Sequence, residues 1–206
     1  MDPSDILSVL RRLCEARAGT QALDLPSDLS PQEAVEAVRA AVKLLEPSPR
    51  VRPRAAGVRG KVRVHIDGAA RGNPGPAGVG VLILGPNGEV VERLHRFIGE
   101  ATNNVAEYQA LLLALERVLE RGYTDLEVRS DSELLVRQIQ GRYQVKNPGL
   151  RPLYAAARER LAALRSFDIR HVPREENAEA DRLANRGIDE GVRSRLRAAA
   201  DREVTG

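Results

Sequence analysis

The sequence predicts an α/β domain: a five-stranded mixed sheet, three strands antiparallel and the rest parallel, flanked by helices. Three observations carry that expectation. KVRVHID (61–67), AGVGVLILG (77–85) and EVVERLHRFI (89–98) are β-branched, strand-like runs separated by glycine- and proline-rich turns. NVAEYQALLLALERVLER (104–121) then switches to helical periodicity. After it, the short apolar runs LEVRSD (126–131) and FDIRHV (167–172) alternate with further helical stretches. The resulting order, β-β-β-α-β-α-α-β-α, implies hairpin-linked antiparallel strands extended by parallel ones.

Taken in order, residues 1–46 read as a helical hairpin. Ile6, Leu7, Val9, Leu10 and Leu13 recur at helical spacing. Ser30-Pro31-Gln32-Glu33 supplies a cap, a proline at the first helical position and a glutamate at the third, before the stripe Val35, Val38, Val42, Leu45. Residues 47–60 form a linker rich in proline and arginine. Residues 61–190 hold the α/β domain, in which Pro86-Asn87-Gly88 marks a hairpin turn and Gly122 stops the long helix. SELLVRQIQ (132–140), RPLYAAARERLAALR (151–165) and a stretch from about Glu175 to Ile188 are the later helices, and residues 191–206 form a helical tail.

Composition narrows the function classes. The chain has 206 residues, 42% hydrophobic and 30% charged, which is ordinary for a folded domain. With two Phe, four Tyr and no Trp, its core must come from Leu, Val, Ile and Ala. Cys14 is the single cysteine, so an intramolecular disulfide and a cysteine-based metal cage are excluded. A reducing, cytoplasmic setting is expected, since neither a signal peptide nor a membrane-length apolar run is visible. A net charge of +3 permits a polyanionic partner without demanding one.

Four carboxylates fall where elements end or begin: Asp67 and Asp131 at the expected ends of two strands, Glu107 and Asp181 in the first turns of two helices. Acids at the ends of neighbouring parallel strands point into the crevice where α/β proteins bind ligands. Clustered, they repel unless cations neutralise them. Oxygen ligands suit Mg²⁺ or Mn²⁺, and a pair of such ions is machinery for displacement at phosphorus. Each acid also has a plain structural reading. Asp67 suits a turn before Gly68, Asp131 a cap for the next helix, Glu107 a helix surface, and Asp181 an ion pair with Arg182 or Arg186. The joint pattern favours a site. The glycines after Asp67 are not a dinucleotide loop, because a strand rather than a helix follows them. They read as a turn from Gly68 to Gly78 that leaves Asp67 bare.

IDGAARGNPGPAG (66–78), TNNVAEYQALLLAL (102–115), RSDSELLVRQIQG (129–141) and VPREENAEADRLAN (172–185) together resemble the four signature blocks of type 1 ribonuclease H. The resemblance spans residues 61–190 and implies a ribonuclease H-like fold. It also implies cleavage of the RNA strand of RNA–DNA hybrids, with 5′-phosphate and 3′-hydroxyl ends, on two Mg²⁺ ions held by Asp67, Glu107, Asp131 and Asp181, with Mn²⁺ as the alternative metal. It further implies hybrid contacts by Asn73, Asn103 and Asn104, and a DNA phosphate contact by Thr102. Double-stranded RNA is a further substrate to test. The partner of the 1–46 hairpin is unknown, and no membrane partner is expected.

The chain departs from the family in two places. GRYQVKNPGLRP (141–152) stands where one bacterial branch has a long basic protrusion, so this chain resembles the branch without it, and the Arg-rich linker is expected to add to the grip on the hybrid. The family's mobile histidine corresponds by counting to His171, inside an expected strand, while Arg174 in the next loop lies nearer the last acid. Both are auxiliary candidates. Two other functions fit the same residues: a catalytically weak RNA- or hybrid-binding relative, and the nuclease module of a larger assembly.

Overall fold

The computed structural model describes residues 58–204, with side chains over 60–197; the expected hairpin and the linker up to residue 57 lie outside the described residues. The elements are β1 (Val58–Ala70), β2 (Gly75–Leu84), β3 (Val90–Ala101), α1 (Asn103–Glu120), β4 (Tyr123–Ser130), α2 (Glu133–Ile139), α3 (Arg151–Ala162), β5 (Ser166–His171), a 3₁₀ turn (Arg174–Asn177) and α4 (Ala178–Val204). The five strands lie in the order β3-β2-β1-β4-β5. β1, β2 and β3 pair antiparallel, whereas β1–β4 and β4–β5 pair parallel. This is the mixed sheet the sequence predicts.

Alternation along β1 assigns the two faces. Val62, Val64 and Ile66 are fully buried in the core with Leu111, Leu115 and Val118 of α1. Each such side chain contributes about 1.5–3 kcal/mol by leaving water. α3 packs on α1 from outside. On the opposite face α4 packs against β2, β3 and β1. Beyond it, Glu127 of β4 gathers Arg63 at 3.2 Å, Arg129 at 2.9 Å and Lys61 at 3.6 Å into a charge ladder. At the far end Asp125 accepts from the Arg165 guanidinium and from the Ser166 hydroxyl at 2.6 Å, stapling β4 to the start of β5. Those partners hold the Asp125 carboxyl down at about 2.

Two glycines set how closely the helices approach. A Cβ at Gly68 would lie 2.2 Å from the Ala106 carbonyl carbon and from the Glu107 nitrogen of α1. A Cβ at Gly80, paired with Asp67, would lie 2.1 Å from the Ala180 carbonyl oxygen of α4. The glycine-rich stretch therefore makes room for helices on both faces, which corrects its expected role as one long open turn. Only residues 71–74 leave the ladder, because Ala69 and Ala70 still pair with Gly78 and Ala77.

Element ends differ from expectation in an informative way. Asp67 does not close β1, which continues three residues to Ala70 alongside β2. Pairing of β1 with β4, however, stops at His65–Arg129. Asp67 thus sits where one neighbour has left and the other remains, and Asp131 lies just past the end of β4. The last helix starts after the 3₁₀ turn and runs unbroken to Val204, so residues 191–204 continue α4. Arg195 there lies over the Phe97 ring, 4.6 Å from its centroid. No described helix is long and apolar enough to cross a membrane.

Candidate active site

Asp67, Glu107 and Asp131 converge, each offering one oxygen within 4.8 Å of the others. β1 delivers Asp67 at the parting of β4. α1 delivers Glu107 one turn from its N-terminus, close to β1 because position 68 has no side chain. The Thr102 hydroxyl caps that helix, accepting from the Val105 N–H at 3.4 Å. Ser132, not Asp131, caps α2, so the Asp131 carboxylate is free of that duty.

Asp67 and Glu107 are 6% and 5% exposed. Burial, then the charges of Asp131 and Asp181, push the Asp67 carboxyl up to about 7. Burial, then Asp67 and Asp131, push Glu107 well above the usual carboxylate range, against a backbone N–H of Gly68. Oε2 of Glu107 is buried without a hydrogen-bond partner. Three converging carboxylates, two of them uncomfortable as anions and one carrying an orphaned oxygen, are what a divalent cation would satisfy. The donor set fits Mg²⁺ or Mn²⁺.

Asp181 stands beside this group rather than within it. Its Oδ1 accepts from Arg174 Nη2 at 2.6 Å, and Asn185 Nδ2 donates to its backbone carbonyl at 3.0 Å. The ion partner is therefore Arg174, not Arg182 or Arg186, which pair with Glu179 and Glu190. His171 ends β5, with Nε2 3.2 Å from the backbone carbonyl of Asp131.

The rim carries the amides. Asn73 lies in the 71–74 turn and its Oδ1 accepts from the Asn103 N–H at 3.2 Å, tying that turn to the start of α1. Asn103 and Asn104 occupy the first turn of α1 with exposed side chains, leaving the capping to Thr102 and Asn73. Residues 140–150, between α2 and α3, form no helix, and Tyr143 there lies under Arg137.

Sequence reasoning passed over Asn177. It is 1% exposed, and its Nδ2 donates to the Ile66 carbonyl and to Asp131 Oδ1, each at 2.8 Å. In sequence an asparagine just before a helix reads as an ordinary cap, which hides this placement.

Comparisons with known proteins agree with this architecture. A family described as reverse transcriptase-like matches residues 65–187. Ribonuclease HI of Halobacterium salinarum is 44% identical over 131 residues, covering 64% of this chain and 66% of that protein. Its crystal structure matches with a TM-score of 0.62 over 64% of this chain and 99% of the solved one. A bifunctional protein of Mycobacterium tuberculosis is 42% identical over 142 residues, 68% of this chain, and the match spans only 38% of that longer protein. LC11-RNase H1, solved in complex with RNA/DNA hybrid, is 45% identical with a TM-score of 0.59, covering 64% of this chain and 99% of the other. With the fold, the order of the acidic blocks and these similarities in agreement, the chain belongs to the type 1 ribonuclease H family.

Proposed function

We propose that residues 61–190 form an endoribonuclease domain that hydrolyses the RNA strand of RNA–DNA hybrids, leaving 5′-phosphate and 3′-hydroxyl ends. The observation that carries this reading is the convergence of Asp67, Glu107 and Asp131 within 4.8 Å, with Asp181 beside them, in a family that includes a hybrid-bound member. We assign all four acids to metal binding, with two Mg²⁺ ions, or Mn²⁺, as the cofactor. When bound, such ions activate water and offset charge at the scissile phosphate. The protein's own part is to hold the acids close together, where burial and mutual repulsion make a bound cation the partner that favours their ionised forms.

Substrate choice falls to the rim. Asn73, Asn103 and Asn104 offer amides to a minor groove, where the 2′-hydroxyl marks RNA. Thr102, at the N-terminus of α1, is suited to a DNA phosphate. With its oxygen engaged by the Asn103 N–H, Asn73 keeps its amide N–H groups as donors. For residues 1–46, expected from sequence as a helical hairpin for docking or self-association, the role and partner are yet to be identified. A cytoplasmic location is the reading the single cysteine supports.

The test uses labelled RNA–DNA hybrid, duplex RNA and duplex DNA, each with and without Mg²⁺. Cutting of the hybrid's RNA strand only when Mg²⁺ is present is expected. Binding without cutting would favour the hybrid-binding alternative instead, and cutting of duplex RNA would widen the substrate class.

Of the two auxiliary candidates, Arg174 is in direct contact with a carboxylate and His171 touches only a backbone carbonyl. Arg174→Ala is expected to lower kcat about tenfold or more, a charged hydrogen bond being lost beside the site. His171→Ala is expected to change kcat less than about threefold, as loss of one exposed neutral contact would. Steady-state kinetics on the hybrid checks both, and the reverse order would transfer the auxiliary role to His171.

A further inference from the structure

Resting on that function, we infer that Asn177 is a positioning residue that sets the spacing between Asp67 and Asp131 and aims the Asp131 carboxylate. Parallel pairing of β1 with β4 ends at His65–Arg129, two residues before each of the two acids. Past that point no ladder hydrogen bond from β1 holds the two chain segments in register, although the site needs both carboxylates at a fixed separation.

Asn177 stands in the opening. One amide N–H goes to the carbonyl of Ile66, the residue preceding Asp67, and the other to Asp131 Oδ1. Both are 2.8 Å bonds, and they use both N–H groups of the amide. The side chain thus replaces the missing ladder rung, with one end on β1 and the other on the acid itself. With Oδ1 held by Asn177, the Asp131 carboxylate is fixed while it stays within the Asp67 and Glu107 cluster.

The amide is not placed by its own needs. Asn177 Oδ1 is buried with no partner at hydrogen-bond distance and with the His65 ring near it, so what holds the amide is what it donates. A carboxylate at this position would offer no donor and would add a third negative charge to the pair. Only a short side chain with two N–H donors serves both acceptors. His171 complements it from outside by touching the Asp131 carbonyl, so the acid is held through main chain and side chain. Nothing in this role requires Asn177 to touch substrate.

Removing the partner of a metal-binding acid lowers metal affinity or activity about 10–100-fold. Asn177→Leu, with the same branching but no donors, and Asn177→Asp, close in shape with acceptors only, are compared with the wild-type chain. Mg²⁺ binding is followed by calorimetry in the absence of nucleic acid, and hybrid cleavage by kcat and KM across Mg²⁺ concentrations. Both variants are expected to bind Mg²⁺ at least tenfold more weakly and to lose kcat. The hybrid KM stays within twofold, and high Mg²⁺ recovers part of the rate.

Should either variant fold poorly, the Asn177 side-chain amide resonances of the ¹⁵N-labelled wild type are followed instead. They are expected to shift on Mg²⁺ addition in wild type and not in Asp131→Asn. Wild-type Mg²⁺ affinity and kcat in the folded variants, or amide signals indifferent to Mg²⁺, would overturn the inference. Absence of cleavage by the wild type itself would instead overturn the proposed function.

Discussion

Asp67→Asn is expected to slow hybrid hydrolysis by about 10³-fold, the upper range for losing one group aimed at the reacting centre, while making the metal-free protein more stable at pH 8. The two effects share one cause. Burial and the neighbouring acids raise the Asp67 carboxyl to about 7 in the folded state, against 3.8 for the free group. The folded chain therefore holds this proton more tightly than the unfolded chain does. The stability this contributes is fully present below about pH 4 and is lost as the pH rises through about 7. A shift of that size corresponds to on the order of 4 kcal/mol by pH 8.

Asparagine carries no such penalty, so the metal-free variant should melt higher than wild type at pH 8, and the gap should close towards pH 4. Mg²⁺ should invert the order, because it binds the folded wild type and stabilises it by mass action. Protons compete for the same oxygens, so the Mg²⁺ affinity of the wild type should weaken as the pH falls below about 7. Melting curves at pH 4, 6 and 8, with and without Mg²⁺, check this. A variant less stable than wild type at pH 8 without metal would show that the site is not electrostatically strained.

Gly68→Ala is expected to be severely damaging for a single-methyl change, costing about 3 kcal/mol or more. The added Cβ would meet the main chain of α1 at Ala106 and Glu107 at 2.2 Å, and a helix backbone cannot turn aside as a flexible side chain can. α1 must then lift from β1, which opens the contact with Val64 and Ile66 and withdraws Glu107 from Asp67. Stability and hydrolysis should fall together. Gly88 is the matched control. Nothing lies within 4 Å of its missing Cβ, and its φ of +84° alone should make Gly88→Ala cost only about 1 kcal/mol. Urea unfolding of both variants tests the comparison, and equal midpoints for Gly68→Ala and wild type would refute the close-approach argument.

The contrast between these glycines shows what the sequence made legible. Strand and helix types followed from periodicity, since Val62, Val64 and Ile66 mark one face of β1 and Leu111, Leu115 and Val118 one stripe of α1. The antiparallel-then-parallel order followed from short turns before α1 and helical crossovers after it. The acids were legible because two of them lie near the ends of adjacent parallel strands.

What remained hidden depends on pairing between distant segments. Where β4 parts from β1 is a matter of register, so Asp67 read as the end of a strand that in fact continues to Ala70. Gly68 read as a turn residue and Gly80 as an ordinary strand position, because their neighbours, α1 and α4, are distant in sequence. Asn177 carried no mark at all, as its partners Ile66 and Asp131 are 111 and 46 residues away. Asp181 was legible as an acid near a helix start, yet its partner Arg174 came from the preceding turn rather than from its own helix.

The most direct test of a metal-dependent four-acid site is single-turnover cleavage of a 5′-labelled RNA strand in an RNA–DNA hybrid by wild type and Asp131→Asn, across a Mg²⁺ titration. Wild type is expected to cut at internal positions in a Mg²⁺-dependent manner, leaving 3′-hydroxyl and 5′-phosphate ends. Asp131→Asn should be slower by about 10³-fold while still binding the hybrid. Equal rates for the two proteins, or cleavage by wild type that is indifferent to Mg²⁺, would contradict it.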